Sequence, residues 1–136
     1  MITYMMFLYL LFPPTYGSLC SPTSPDFKEY RYQEQIAYCT RNVSTERKNT
    51  ICHRDGVDDR TAFTVDHIIP LSLGGSNDDD NLWCQHHSLN VTHVEFKTYQ
   101  ELRDGKITQQ EAIDIILDAK FKKADQIGTI RFLDKN

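Results

Sequence analysis

The sequence predicts a small single domain of the α+β class. A length of 136 residues is enough for one modest hydrophobic core and too short for two independent domains. Two short β-type runs, 61–65 and 81–84, are separated by a polar loop, and helix-start signals occur on both sides of them. Short strands mixed with amphipathic helices are typical of α+β domains.

The two β-type runs place polar residues at the ends of strands. The first, residues 61–65, delivers Asp66 and His67 to its end, and Gly74-Gly75 turns the chain after an apolar stretch. Asn81 then begins the second run, which continues as Leu-Trp-Cys. We therefore expect an Asp-His pair fixed on a stiff support.

Three helices are predicted from their capping signals. Ser44 is a good N-cap for a helix through about His53, and Ser88 is expected to cap a second helix that ends at Asp104-Gly105. Thr108–Glu111 reads as a capping box that opens a third helix with an apolar face. These helices are expected to flank the strands.

The charge balance limits the kinds of partner the protein can hold. The chain has 15 basic and 19 acidic residues, a formal net charge of −4. This is not the strongly basic balance of proteins that hold long stretches of nucleic acid through many phosphates. A hydrolytic enzyme that grips a few phosphates around a metal ion is not excluded.

An apolar run without a charged residue begins the chain and predicts export. Residues 2–12 are too short to span a bilayer but fit the hydrophobic region of a secretory signal, with cleavage after Gly17. Residues 1–17 are therefore predicted to be a signal peptide, and the protein to be periplasmic or extracellular. A basic segment before the run is missing, so an uncleaved anchor or a misplaced start codon remains an alternative.

The four cysteines predict two disulfides in an exported chain. Cys20, Cys39, Cys52 and Cys84 allow three pairings, and the sequence does not choose among them. The alternative is a structural zinc site that uses Cys52-His53 and Cys84 with His86 and His87. No C-x-x-C knuckle is present, which makes structural zinc the less favoured interpretation.

The stretch from Val65 to Asn90 carries the chemistry. It reads V-D-H-I-I-P-L-S-L-G-G-S-N-D-D-D-N-L-W-C-Q-H-H-S-L-N. Asp66 offers hard oxygen donors of the kind that Mg²⁺ takes, and the imidazole of His67 is suited to accept a proton near neutral pH. The pattern indicates a metal ion and a general base side by side.

This stretch resembles the HNH nuclease motif of the ββα-metal superfamily. Its opening D-H-I-I-P-L-S-L-G-G-S-N-D is close to the D-H-L-I-P-L-E-L-G-G-S-N-D form of small bacterial HNH proteins. His67 and Asn81 are fourteen positions apart, and Asn81 and Asn90 nine, the intervals found in the HNH domain of CRISPR effector nucleases. The resemblance covers about residues 40–117 and implies a ββα-metal core flanked by helices.

The resemblance implies a division of the chain and a role for each signature residue. Residues 40–120 would form the nuclease domain, 18–39 an N-terminal extension with weak helical periodicity over residues 26–38, and 121–136 a C-terminal tail.

Within the motif, His67 would be the general base that activates water. Asp66 and Asn90 would hold one Mg²⁺ or Mn²⁺, with Asn90 in the first turn of the helix after the second strand. Asn81 would not touch the metal ion but would tie the loop and orient the His67 ring.

Four residues are candidate substrate contacts. Arg41 and Lys48 lie in or near the first helix, and His93 and Lys97 follow Asn90 on the next helix. The small bacterial relatives tend to have Lys-Asp where Val94-Glu95 stands here, so a phosphate-binding lysine would be either lost or replaced by Lys97. A solvated basic surface is the alternative.

The function predicted from the sequence is that of a metal-dependent endonuclease. It would hydrolyse phosphodiester bonds of DNA, with RNA as the alternative substrate. Little sequence specificity is expected, because no part of the chain remains to form a sequence-recognition module. Two alternatives are a catalytically weak HNH-fold module that binds nucleic acid or serves a larger machine, and a disulfide-stapled protein that uses the motif structurally. Glycosylation at the sequon of Asn90 would remove a metal ligand, which favours a bacterial source.

Overall fold

The computed structural model describes the backbone of residues 12–135 and the side chains of residues 12–128. The elements are β1 (Phe27–Arg31), β2 (Ile36–Cys39), α1 (Thr45–Arg54), β3 (Phe63–His67), β4 (Leu82–His86), α2 (Thr92–Arg103) and α3 (Gln109–Lys135). The strands form two antiparallel sheets, β1 with β2 and β3 with β4. This architecture confirms the predicted α+β class.

The pairing of β3 with β4 positions the Asp-His pair. Asp66 lies opposite Trp83 and His67 opposite Leu82 in an antiparallel register. β3 begins two residues later than the predicted run and continues through His67, so both residues lie within the strand and not after it. Their backbones are therefore held by the ladder itself.

The loop between these strands turns tightly at Gly75. A Cβ atom on Gly75 would lie 1.8 Å from the carbonyl oxygen of Ile69, a distance that no side chain tolerates. The Gly75 amide instead donates to the carbonyl oxygen of Pro70 at 3.0 Å. Glycine is required here because the backbone of the loop folds directly onto itself.

Two of the predicted helix starts are confirmed. α1 begins at Thr45, and the Ser44 hydroxyl accepts from the Arg47 amide at 3.1 Å. Before α3, the Thr108 amide donates to Glu111 Oε1 at 3.2 Å and the Glu111 amide donates to Thr108 Oγ1 at 3.1 Å. This reciprocal pair is the capping box expected from the sequence.

The predicted start of α2 at Ser88 is wrong. Residues 87–89 form a single 3-10 turn, and α2 begins only at Thr92. Ser88 bonds to His86, with its Oγ 2.8 Å from Nδ1, while the Thr92 amide donates to Asn90 Oδ1 at 2.7 Å. Asn90 therefore precedes α2 in an Asx-type turn instead of lying in its first helical turn.

The segment with weak helical periodicity is a β-hairpin. β1 and β2 pair between Phe27 and Cys39, and Tyr32 and Gln35 have positive φ angles of 64° and 57° at the two ends of the connecting turn. A disulfide joins Cys20 to Cys39. The strand conformation is stabilised by cross-strand pairing and by this disulfide. Neither can be read from local periodicity, so the helical pattern is misleading here.

Both cysteine pairs are oxidised, which confirms two disulfides and selects one pairing. Cys52 joins Cys84 and so links α1 to β4. In the described part of the chain no cysteine is free. The two cysteines of the alternative zinc site are thus bonded to each other.

The predicted signal peptide lies largely outside the described residues, which begin at Phe12. Phe12 packs against a buried cluster that contains Ile68 and Trp83. Thr15 donates to the carbonyl oxygen of Asp80, and the Ser18 amide donates to Asn81 Oδ1 at 3.2 Å. Cleavage after Gly17, which stays a prediction, would remove the first two contacts.

The long helix α3 closes the core and includes residues 121–135 of the predicted C-terminal tail. Its apolar face buries Ala112, Ile113 and Ile116 against the hairpin and the loop after β3. Farther along, Ala124 is fully buried against Trp83. Across residues 12–135 no helix is both long enough and apolar enough to cross a membrane.

Candidate active site

Asp66 and His67 line a polar pocket of about 410 Å³. The hairpin side contributes Arg31 and Tyr38 to one wall, and α2 contributes Glu95 to the other. The pocket at the end of β3 thus lies between the N-terminal hairpin and α2. Charged and aromatic groups surround the strand end that the sequence predicted to be catalytic.

His67 is buried and bonded through one ring nitrogen. Its Nε2 lies 2.9 Å from Oδ1 of Asn77, and only 5% of the residue is exposed. Burial lowers the pKa of His67 below its usual value, the Asn77 hydrogen bond raises it, and the guanidinium of Arg41 lowers it again. The net shift is downward, so the imidazole is neutral at neutral pH and able to accept a proton.

The partners of Asn77 determine which His67 nitrogen carries the hydrogen. Asn77 Nδ2 donates to Asp26 Oδ2 at 3.0 Å and to the Thr40 carbonyl oxygen at 2.7 Å, both of which only accept. Asn77 Oδ1 accepts the Asn42 amide at 3.3 Å. The amide orientation is therefore fixed, and His67 Nε2 must be the donor to Oδ1. Nδ1 is left as the nitrogen that can take a proton.

Asp66 is held by a buried lysine from α3. Lys120 Nζ donates at 2.8 Å to Asp66 Oδ2 and to the carbonyl oxygens of His67 and Ile68. Trp83 Nε1 donates to the same carboxylate oxygen at 3.0 Å. Lys120 is 2% exposed, so its ammonium hydrogens are used inside the protein and not on a ligand. Oδ1 of Asp66 is the oxygen that these two donors leave to the pocket.

Glu95 brings a second carboxylate to the pocket. Its Oε1 lies 3.6 Å from Lys120 Nζ, and 31% of its side chain is exposed. Burial raises the pKa of Glu95, while the charge of Lys120 opposes that shift. Glu95 and Asp66 therefore both pair with the buried ammonium group of Lys120, and both line the pocket.

Asn81 ties the loop but does not contact the His67 ring. Its Oδ1 accepts the Ile69 amide at 2.9 Å, and its Nδ2 donates to the carbonyl oxygens of Ile69 and Ser76 at 3.0 and 2.8 Å. The predicted orientation of His67 by Asn81 is wrong, because these backbone groups take its side chain. Asn77 orients the ring instead.

Asn90 does not line the pocket. It is exposed, and its Oδ1 accepts both the amide and the hydroxyl of Thr92. The structure thus brings Asp66 and His67 together but leaves the predicted second metal ligand at the start of α2. No group of three or more His, Cys, Asp or Glu residues suited to a metal ion is found among residues 12–128.

The carboxylates in the pocket nevertheless fit a hard divalent cation. Mg²⁺ is usually bound by one or two carboxylates, keeps several waters and takes further oxygens from substrate phosphates. Asp66 and Glu95 are two such carboxylates in one polar pocket. This donor set suits Mg²⁺ or Mn²⁺, whereas the saturated Oδ1 of Asn90 does not.

Of the four predicted substrate contacts, the structure brings one to the pocket. Arg41 lines it and is close enough to His67 and Glu95 to affect both pKa values. Lys48 lies on α1, and His93 and Lys97 are exposed on α2 without lining the pocket. Arg41 is therefore the candidate with structural support.

Three residues in or beside the pocket are not predicted from the sequence: Asn77, Lys120 and Glu95. Asn77 is part of the quoted G-G-S-N-D segment, but an asparagine in a polar loop is usually a turn residue. Lys120 follows Ala112 and Ile116 at intervals of four residues. A charged residue in line with the apolar face of a helix is the sequence signal that indicates a buried lysine here. Glu95 differs from the aspartate that the small bacterial HNH proteins tend to have at this position, and this difference alone does not predict a role in the pocket.

Residues 50–88 match the family model described as HNH endonuclease. This confirms the family predicted from the motif, and the matched range includes α1 from Thr50, both strands of the second sheet, Asn77 and Asn81. No curated protein and no solved structure gives a significant match to the chain. The match indicates a nuclease or nucleic-acid-binding function and an interaction with nucleic acid.

Proposed function

We propose that this chain, whose residues 50–88 form an HNH endonuclease domain, is a metal-dependent endonuclease that hydrolyses phosphodiester bonds. The observation that carries the proposal is the state of His67. The ring is buried and neutral, and Asn77 holds the hydrogen on Nε2, so Nδ1 can act as a general base at the pocket.

In the proposed reaction His67 takes a proton from water onto Nδ1. The hydroxide attacks phosphorus, the bond from phosphorus to the 3′ oxygen breaks, and the leaving oxygen receives a proton from solvent. Arg41 lies beside His67 and supplies positive charge to the phosphate as negative charge develops. The chain thereby provides a base and a charged contact on adjacent sides of one pocket.

Asp66 and Glu95 are the residues we assign to Mg²⁺ or Mn²⁺. When bound, the ion would neutralise phosphate charge and stabilise the leaving oxygen. Lys120 keeps the Asp66 carboxylate in one orientation through Oδ2 and so presents Oδ1 to the pocket. The earlier assignment of Asn90 as the second ligand stays a prediction, and binding there would require release of Thr92.

The substrate we propose is DNA, with RNA as the second possibility, cut with little sequence specificity. The catalytic pair lies in one polar pocket, and the net charge of −4 is not the strongly basic balance of proteins that hold long stretches of nucleic acid. Two disulfides are compatible with an exported protein. We retain a periplasmic or extracellular site of action in a bacterium as part of the proposal.

Cleavage of plasmid DNA, single-stranded DNA and RNA by the oxidised protein tests this function. We expect product with Mg²⁺ or Mn²⁺ and none with EDTA. A folded protein that binds these nucleic acids but cuts none of them under either metal would instead support a binding module.

A further inference from the structure

We propose that the wall of the pocket opposite the catalytic pair is a subsite for one nucleotide of a single nucleic-acid strand, next to the scissile phosphate. The wall is formed by the β1–β2 hairpin, and Tyr99 of α2 adjoins it because its ring lies 6.3 Å from the ring of Tyr32. Arg31 holds a phosphate and the tyrosines contact the base. This inference rests on the proposed nuclease function and names the form of nucleic acid that the site takes.

The guanidinium of Arg31 is already oriented toward such a role. Its Cζ atom lies 3.5 Å from the centre of the Tyr38 ring, and its Nε donates to Glu29 Oε1 at 2.6 Å. Stacking and this bond fix the plane of the group, and the four N–H donors on Nη1 and Nη2 match the geometry of a phosphate. Arg31 and Arg41 then place two cations along one side of the pocket.

Tyrosines supply the surfaces for a base. Tyr32, Tyr38 and Tyr99 all line the pocket, and the rings of Tyr32 and Tyr99 lie 6.3 Å apart in an edge-to-face arrangement. Stacking of bases on aromatic rings does not depend on sequence and is the usual way in which proteins hold single strands. The subsite therefore agrees with low sequence specificity.

The hairpin wall is fixed to the rest of the site. Tyr32 donates its hydroxyl to the Ser72 carbonyl oxygen at 2.8 Å, and the Cys20–Cys39 disulfide packs with Leu71. Ser72 and Leu71 themselves line the pocket. The distance between the wall and His67 is thus set by covalent and packed contacts, as a subsite next to a reacting group requires.

The shape of the pocket favours a single strand over a duplex. A volume of about 410 Å³ between two walls accommodates a nucleotide but not the width of a double helix. A base in a duplex would have to leave its stack to enter, which costs a few kcal/mol. The net charge of −4 is also not the strongly basic balance of proteins that hold long duplexes through many phosphates.

The test compares Arg31→Gln and Tyr38→Leu with Arg103→Gln as a matched control. Arg103 also lies by a tyrosine, 5.6 Å from the Tyr99 ring centre, and pairs with a neighbouring acid, Asp104, but it does not line the pocket. KM and kcat are measured for a 5′-labelled single strand and for its duplex. We expect Arg31→Gln to raise the KM for the single strand roughly tenfold and to change kcat less.

Two further results complete the test. The wild type should cleave the single strand at least about tenfold more efficiently than the duplex, since the duplex must unstack a base. Arg103→Gln should stay within twofold of the wild type. Equal cleavage of both forms, together with an unchanged KM in Arg31→Gln and Tyr38→Leu, would overturn the subsite while leaving the nuclease intact.

Absence of cleavage is distinguishable from absence of the subsite. If the wild type cuts neither form, fluorescence anisotropy of the same labelled strand measures binding directly. Two results would support the subsite and reject only the nuclease. The wild type binds the single strand more tightly than the duplex, and Arg31→Gln weakens this binding and lowers the slope of log K against log salt concentration by about one phosphate contact. Binding that is equal for both forms and independent of Arg31 rejects the subsite.

Discussion

The Nε2 atom of His67 lies 2.9 Å from Oδ1 of Asn77, and this contact decides which nitrogen of the imidazole can act as a base. Asn77 cannot rotate its amide without placing Nδ2 against the Asn42 amide and losing two acceptors. The ring is thus held in one tautomer by a residue ten positions along the chain.

Replacement of Asn77 should change the pH dependence of catalysis. In Asn77→Ala the hydrogen bond that raises the His67 pKa is lost, so the acidic limb of the kcat/KM profile should move to lower pH. We also expect kcat to fall at least about tenfold because the tautomer is no longer fixed.

Asn81→Ala is the matched control for that variant. It removes the bonds to Ile69 and Ser76 and should lower the melting temperature without moving the acidic limb. A shift of the limb in Asn81→Ala, with none in Asn77→Ala, would restore the orienting role to Asn81.

Because folding lowers the pKa of His67, the stability of the protein should depend on pH. The folded protein keeps His67 neutral at pH values where the unfolded chain, with a pKa near 6.5, takes up a proton. Stability should therefore fall as the pH drops below about 6.5 and continue to fall until the folded pKa is reached. Urea unfolding of wild type and His67→Gln between pH 5 and pH 8 measures this contribution as the difference between the two slopes, and the slope of the variant should be smaller.

Removal of Lys120 should destabilise the protein. Lys120→Met leaves the Asp66 carboxylate and the carbonyl oxygens of His67 and Ile68 without their common donor, at a cost of about 3 kcal/mol. Lys122→Met changes an exposed lysine paired with Asp118 on the same helix and should cost less than about 0.5 kcal/mol. Similar unfolding midpoints in urea for the two variants would contradict the stabilising role of these three Lys120 hydrogen bonds.

Metal binding distinguishes Glu95 from Asn90 as the second ligand. Isothermal titration with Mn²⁺ in the absence of nucleic acid should show affinity weakened roughly tenfold in Glu95→Gln, because a charged oxygen ligand is lost. Asn90→Ala should keep the wild-type affinity, since its Oδ1 is bonded to Thr92. The reverse pattern would confirm Asn90 and remove Glu95.

Two helix starts and the position of the Asp-His pair could be predicted from sequence because their signals are local. The capping serine at Ser44, the capping box at Thr108–Glu111 and the Asp66-His67 pair at the end of a strand each depend on residues close in the chain. The match of residues 50–88 to the HNH endonuclease family model confirms the family that the Asp-His stretch predicts.

The rest of the site could not be predicted, because long-range packing determines it. Lys120 reaches Asp66 across 54 positions, and the hairpin with Arg31 is placed by a disulfide whose pairing the sequence leaves open. The start of α2 depends on one Asx turn at Asn90, which competes with a cap at Ser88. A shift in where a helix starts changes which side chains can face the pocket.

The most direct test of the account is the nicking rate of supercoiled plasmid by oxidised wild type, His67→Ala and His87→Ala with Mg²⁺. His87 is exposed and lies outside the pocket, so its variant controls for loss of a histidine near the same strand. We predict that His67→Ala loses at least about 100-fold in rate, regains part of it with added imidazole, and stays folded, while His87→Ala cuts as the wild type does. Cleavage by His67→Ala at the wild-type rate would contradict the assignment of His67 as the general base.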